Sequence, residues 1–122
     1  MVDLKIINEF PDDFTFGVAT SSYQIEGNSF GKSGLSHWDN FSKQDGRVFN
    51  NESGNIACAH VINYKEDVKL IADAGFSAYR FSFSWPRILP EGKGTINKEG
   101  ISFYDKLIDE LLENNLKTFS TL

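Results

Sequence analysis

One charged residue, Arg80, interrupts a segment that otherwise alternates large aromatic and small side chains. Residues 77–85 read SAYRFSFSW, which predicts a strand because side chains two positions apart share a face. Arg80 then shares a face with small residues, where a buried guanidinium is costly unless a carboxylate pairs with it. The other predicted strands offer no obvious carboxylate, so the partner is either absent from this chain or lies on a loop. The expected chemistry is binding of an anionic group, although exposure to solvent at the strand end, or pairing with Glu26 or Asp39, would also account for this arginine.

Two other motifs could carry chemistry, but their context argues against it. Residues 27–33 (GNSFGKS) are similar to a phosphate-binding loop, yet they are one residue short of the required spacing and do not directly join a strand to a helix. We interpret this segment as a glycine-rich surface loop. His37 and His60 lack the spacing of metal ligands, so the sequence predicts no metal site.

The hydrophobic pattern predicts the elements that must position these residues. Alternation with period two predicts strands, and apolar residues at helical spacing predict amphipathic helices between them. Strands separated by helices indicate parallel βαβ units. The predicted elements are a strand over 14–20, a long loop over 21–54, a helix over 55–74 capped by Ser53 or Asn55 and ended by Gly75, a strand over 77–85, a helix over 98–114 capped by Asn97, and a strand over 117–122.

Composition excludes several classes of partner. The chain has 12 basic and 17 acidic residues, a net charge of −5 and no basic cluster, which argues against nucleic acid. No stretch approaches the ~20 apolar residues that cross a bilayer. The N-terminus lacks the apolar core of a signal peptide, so a cytoplasmic location is expected. Cys58 is the only cysteine, so no intrachain disulfide can form.

Ordered motifs along the chain resemble family 1 glycoside hydrolases, the β-glucosidase family. The resemblance covers roughly residues 10–122 and implies a (β/α)8 barrel, in which active sites lie at the carboxyl ends of the strands. The whole chain, 1–122, is then expected to be one partial α/β domain that forms the first two βα units and the third strand. The motifs are FTFGVATSSYQIEG from Phe14, WDNF from Trp38, YKEDVKLI from Tyr64, YRFSFSWPRILP from Tyr79 and FYDKLIDELL from Phe103.

The resemblance also implies roles for individual residues. Gln24 corresponds to the glutamine that hydrogen-bonds the hydroxyls of the glycone, the sugar whose anomeric carbon is attacked, and a planar amide with donors and an acceptor suits that role. Arg80 corresponds to the arginine that contacts the nucleophilic glutamate. Glu26, in the same motif as Gln24, is interpreted as structural. Trp38 and Trp85 are interpreted as packed core residues in preference to sugar platforms.

The implied reaction is retaining hydrolysis of a β-glycosidic bond by two carboxylates ~5–5.5 Å apart, with no metal or organic cofactor. The resemblance places both catalytic glutamates beyond Leu122. The expected function is therefore an N-terminal segment of a retaining β-glycosidase that carries part of the glycone site, with a β-glycoside or oligosaccharide as the partner of the complete protein. The alternative is a non-catalytic product that binds sugar weakly or associates with another chain, because an open sheet exposes two edges. Asn28 departs from the family pattern, which has a small residue there.

Overall fold

In the part of the chain that the structure describes, three parallel strands form one sheet, and helices cover one of its faces. The computed structural model describes residues 10–122. The strands follow chain order across the sheet and both pairings are parallel, which confirms the predicted α/β topology. The elements are β1 (Gly17–Ala19), α1 (Ser22–Ile25), α2 (His37–Ser42), a 3-10 turn (Phe49–Asn51), α3 (His60–Asp73), β2 (Ala78–Ser82), α4 (Trp85–Ile88), α5 (Lys98–Glu113) and β3 (Lys117–Thr121).

The register of the sheet gives its two faces different characters. Ala19, Arg80 and Phe119 are paired in register and share one face, here named the inner face. Because successive side chains of a strand alternate, Tyr79 and Phe81 lie on the opposite, outer face. Both of these aromatic side chains are buried. The inner face is therefore the one that the helices leave uncovered.

The core lies between the outer face and helices α3 and α5. The apolar residues of α5 recur at helical spacing, so a single stripe of that helix faces the sheet. No helix within residues 10–122 is both long and apolar enough to span a membrane. The buried cluster comprises Val68, Tyr79, Phe81, Phe103, Tyr104, Leu107, Leu111 and Leu116.

The helix ends agree with the sequence at Asn97 and Gly75 but not at the start of the first predicted helix. Asn97 caps α5 as predicted, since its side-chain oxygen accepts from the Glu99 amide at 3.2 Å. Gly75 follows α3 with a left-handed φ of 83°, which glycine adopts without strain. The predicted start of the first helix near residue 55 was wrong. Ala59 is left-handed, with a φ of 52°, so the helical hydrogen-bond ladder of α3 begins only at His60.

Three other predicted boundaries also required correction. The strand predicted over 14–20 is shorter, because β1 spans only Gly17–Ala19. The strand over 77–85 is shorter than predicted, because β2 ends at Ser82 and Trp85 opens the short helix α4. Pro86 lies in the first turn of that helix, where its missing N–H is harmless, and a proline there also fits the end of a strand. The predicted loop over 21–54 contains α1 and α2, helices too short to be recognised from an apolar period.

Candidate active site

The carboxyl ends of the three strands meet at one edge of the sheet, beside an open depression of about 520 Å³. Residues that follow each strand line it: Ser21 after β1, Ser84 and Trp85 after β2, and Leu122 after β3. Helix α2 contributes Trp38 from the side. In parallel α/β barrels this edge is where ligands bind, so the depression is the candidate site of this chain.

The two tryptophans belong to this depression and not to the core, so their interpretation as packed core residues was wrong. Trp38 is 48% exposed and Trp85 is 55% exposed. The Trp38 ring stacks beside Tyr23 and meets Phe41 edge-on, with centroid distances of 6.1 and 5.8 Å. Trp85 lies beyond the end of β2, where its indole N–H donates to the Gly92 carbonyl at 3.0 Å. Both indoles therefore offer ring surface to a ligand.

Gln24 lies on α1, the short helix that follows β1, and its side chain is exposed. Together with Tyr23 and Trp38 it lines a second, shallower depression of about 290 Å³. Trp38 and Tyr23 border both depressions, so Gln24 is next to the candidate site and not inside its larger part. The amide is accessible to a ligand.

Arg80 is exposed on the inner face, between Ala19 and Phe119. Within residues 10–122 its guanidinium forms no salt bridge. Neither Glu26 nor Asp39 is its partner, because Glu26 pairs with a different arginine and Asp39 bonds to Asn28 and Ser36. The structure therefore leaves Arg80 exposed, with its charge directed to the open side of the sheet. Among the described residues, no hydrogen bond joins Arg80 to Gln24.

A buried ion pair between Glu26 and Arg87 lies beneath the site, and sequence reasoning missed the arginine. Glu26 is 4% exposed and Arg87 is 1% exposed, and Arg87 Nε donates to Glu26 Oε2 at 2.7 Å. The other guanidinium nitrogens donate to the carbonyls of Phe30 and Gly27 at 2.7 and 3.0 Å. A single charge within the apolar run WPRILP was the available signal. Glu26 is structural, as interpreted from the sequence.

Tyr104 completes the binding of the Glu26 carboxylate. Its hydroxyl donates to Glu26 Oε1 at 2.8 Å and accepts from the Ser84 amide at 2.7 Å. Burial, and then the nearby charge of Glu26, raises the pKa of Tyr104 well above its ordinary value. The phenol is therefore protonated at neutral pH and donates to the carboxylate.

The glycine-rich segment 27–33 has the opposite polarity to a phosphate loop. Phosphate loops present backbone N–H groups to the anion. Here the carbonyls of Gly27 and Phe30 point to Arg87, and the carbonyl of Gly31 accepts from Asn97 Nδ2 at 2.8 Å. The segment therefore binds cationic and amide donors of this chain through its carbonyls, a polarity that does not suit an anion.

The comparison with families of known proteins gives one match that covers most of the chain. The family model described as glycosyl hydrolase family 1 matches residues 6–122. The chain belongs to glycosyl hydrolase family 1. The resemblance of its motifs to this family is thus confirmed.

Known family 1 members place the chain within a larger barrel. It is 49% identical over 117 residues to a 1,4-β-D-glucan glucohydrolase of Thermotoga neapolitana, covering 95% of this chain and 28% of the relative. It is 51% identical over 115 residues to an aryl-phospho-β-D-glucosidase of Bacillus subtilis, covering 93% of this chain and 24% of the relative. The solved family 1 β-glucosidase of Thermotoga maritima matches with a TM-score of 0.88 and 49% identity, over 93% of this chain and 26% of that one. The chain spans about a quarter of the length of these relatives, and its fold is the N-terminal part of the family 1 (β/α)8 barrel.

Asn28, which the resemblance to family 1 marks as a departure from the expected small residue, links two segments of the chain through hydrogen bonds. The Asn28 amide donates to both Asp39 oxygens, at 2.7 and 2.6 Å, and its carbonyl oxygen accepts from the Ser33 hydroxyl at 3.1 Å. Asp39 is 2% exposed and forms a capping box with Ser36 at the start of α2. Burial alone would raise the pKa of Asp39, but the hydrogen bonds from Ser36 and Asn28 hold it below its ordinary value. Asn28 thus links the segment 27–33 to α2, the helix that carries Trp38.

Proposed function

We propose that these residues are the first part of a retaining β-glycosidase that hydrolyses β-glucosides or related β-glycosides. In this proposal Gln24 binds hydroxyls of the glycone and Arg80 supports the carboxylate of the nucleophile. Relatives of similar identity are named for glucan, for glucosides and for phospho-glucosides, so the proposed substrate class is the β-glucoside family as a whole.

The absence of a carboxylate beside Arg80 is the observation that carries the proposal. Arg80 is exposed on the inner face and forms no salt bridge within residues 10–122. In a closed barrel that face is the interior, where a guanidinium needs a paired carboxylate. A cation beside a carboxylate also favours its ionised form, which is the form a nucleophile requires. A glutamate from another strand of the barrel would satisfy both needs.

Gln24 suits the proposed role through its chemistry and its position. Its amide is exposed beside the ring of Trp38, one short turn after β1. An amide offers two donors and an acceptor in one plane, which matches neighbouring sugar hydroxyls. The apolar face of a sugar can lie on an indole ring while the hydroxyls meet the amide.

Glu26 is unsuited to act as a catalytic carboxylate. Both of its oxygens are engaged, one by Arg87 and the other by Tyr104, and the side chain is buried. A retaining mechanism needs an attacking carboxylate and an acid/base carboxylate on either side of the glycosidic bond. In the proposal both come from parts of the barrel outside these 122 residues.

The test is a chimera in which residues 6–122 replace the matching part of the Thermotoga maritima β-glucosidase. We expect it to hydrolyse an aryl β-glucoside. Gln24→Ala should lower kcat/KM about 100-fold, since it removes two hydrogen bonds of roughly 1.4 kcal/mol each.

The matched control for this test is Gln44→Ala, which removes another exposed amide, just after α2. It should leave kcat/KM unchanged. A Gln24→Ala chimera as active as its parent would contradict the proposal.

A second function, association with another chain, is favoured by the open side of the sheet. Phe119 on the inner face is 53% exposed, and β1 and β3 each have one unpaired edge within the described residues. Uncovered edges and apolar surface promote pairing between chains. Sedimentation velocity of the 122-residue chain should show concentration-dependent association. A species that stays monomeric and unfolds cooperatively would contradict this second function.

A further inference from the structure

Helix α1, which carries Gln24, is too short to fix its own orientation. It has four residues, and its N-cap residue Ser21 makes no side-chain capping bond. Isolated helices shorter than about 12 residues are marginal in water, so the direction of α1 depends on its tertiary contacts. Near its start, the Ser22 amide donates to Ser82 Oγ at 2.9 Å, which ties it to the end of β2.

The other end of α1 is held by the carboxylate of Glu26, the residue that directly follows the helix. Glu26 keeps helical backbone angles, with φ −69° and ψ −40°. Its two oxygens bind Arg87 Nε at 2.7 Å and the Tyr104 hydroxyl at 2.8 Å. Both partners belong to the second βα unit, so the end of α1 is fixed to a different part of the fold.

Helical geometry links this anchor to Gln24. Residues two positions apart on a helix are related by a rotation of about 200° around its axis, since each residue adds about 100°. Their side chains therefore lie on nearly opposite sides. Glu26 is 4% exposed and points inward, and Gln24 is exposed on the other side. A rotation of α1 that moved Gln24 would have to pull Glu26 from Arg87 and Tyr104.

We propose that Glu26, together with Arg87 and Tyr104, is a positioning residue that sets the rotation of α1 and therefore the direction of the Gln24 amide. This inference rests on the proposed function, in which Gln24 binds the glycone. It gives the Glu26 cluster a role in substrate binding in addition to its role in packing.

Tyr104→Phe is the variant best suited to test the inference, because it removes one hydrogen bond to Glu26 and leaves the ion pair with Arg87. In the chimera described above, it should lower kcat/KM for an aryl β-glucoside about tenfold, since small misplacements of a binding group are costly. Tyr64→Phe is the matched control. Tyr64 packs against Phe103 at 6.1 Å between ring centroids, and within residues 10–122 its hydroxyl makes no hydrogen bond. That variant should keep the parent kcat/KM.

A double-mutant cycle with Gln24→Ala separates positioning from general stability. If Tyr104 acts through Gln24, the double variant should be no less active than Gln24→Ala alone, because the misplaced group has already been removed. Losses that multiply in the double variant would overturn the positioning role and leave the proposed function intact. A Gln24→Ala chimera with full activity would overturn the proposed function and this inference together. Glu26→Gln repeats the cycle from the other partner, and it too should add no loss to Gln24→Ala.

Discussion

Two arginines seven positions apart, Arg80 and Arg87, have opposite environments. Arg87 is 1% exposed, and each of its three guanidinium nitrogens donates a hydrogen bond within the chain. Arg80 is exposed on the inner face and forms no salt bridge among the described residues. The two arginines lie in one short stretch of sequence, but Arg80 belongs to β2 and Arg87 to the short helix α4.

This difference shows which of the two arginine charges is already paired within residues 10–122. Burying a charge is tolerated only when it is paired and hydrogen-bonded, and Arg87 meets that condition within residues 10–122. Arg80 is exposed and forms no salt bridge among the described residues, and under the proposed function its partner is a carboxylate from another part of the barrel. One arginine therefore stabilises this part of the barrel, and the other is proposed to serve its chemistry.

The largest effect is expected when each arginine is removed in turn and the free energy of unfolding is measured. Arg87→Ala leaves Glu26 buried without its cation, which should lower the free energy of unfolding by about 3–5 kcal/mol. Arg80→Ala removes an exposed side chain and should change it by no more than about 0.5 kcal/mol. Urea unfolding of the 122-residue chain at one fixed protein concentration, followed by tryptophan fluorescence, compares both variants with the parent, since association makes unfolding depend on concentration.

Arg87→Lys sharpens this result. A lysine keeps the charge but offers one ammonium where arginine presents a rigid fork of donors, so it should recover only part of the loss. Equal stabilities for Arg87→Ala and Arg80→Ala would show that the buried pair adds nothing to the fold.

A smaller effect is expected at alkaline pH. Burial raises the pKa of Tyr104 and of Tyr79 above the ordinary value of 10.0. Below pH 10.0 both tyrosines are protonated in the folded and unfolded chain, so stability is fully present. Above it the unfolded tyrosines ionise first, so the free energy of unfolding should fall as the pH rises, by up to about 1.4 kcal/mol per pH unit for Tyr104.

Tyr104→Phe should be less stable than the parent at neutral pH but should lose stability less steeply above pH 10.0. Thermal unfolding between neutral pH and pH 11.5 compares the two slopes. If the free energy of unfolding fell as steeply in this variant as in the parent, burial beside Glu26 would not be raising the pKa of Tyr104.

Much of the fold could be predicted because the signals are local and repeated. The aromatic alternation of β2 and the apolar stripe of α5 each fix a buried face, and Asn97 marks the start of its helix. The family motifs predicted the barrel and a candidate site at the carboxyl ends of its strands.

The rest depends on contacts between distant parts of the chain. Arg87 and Glu26 are 61 residues apart in sequence, and no local pattern pairs them. Helix α1 is stabilised by such contacts rather than by intrinsic propensity, so the local sequence pattern predicts a loop there. The sequence pattern places Trp85 on a strand and so predicts a core position for its ring. That prediction was wrong because β2 ends before Trp85, which opens α4.

The most direct test of the account is the activity of the Arg80→Ala chimera. With Arg80 beside the nucleophile, kcat for an aryl β-glucoside should fall about 100-fold or more while the melting temperature stays within a few degrees of the parent. Activity equal to the parent would contradict the account, because the exposed arginine would then have no part in the chemistry.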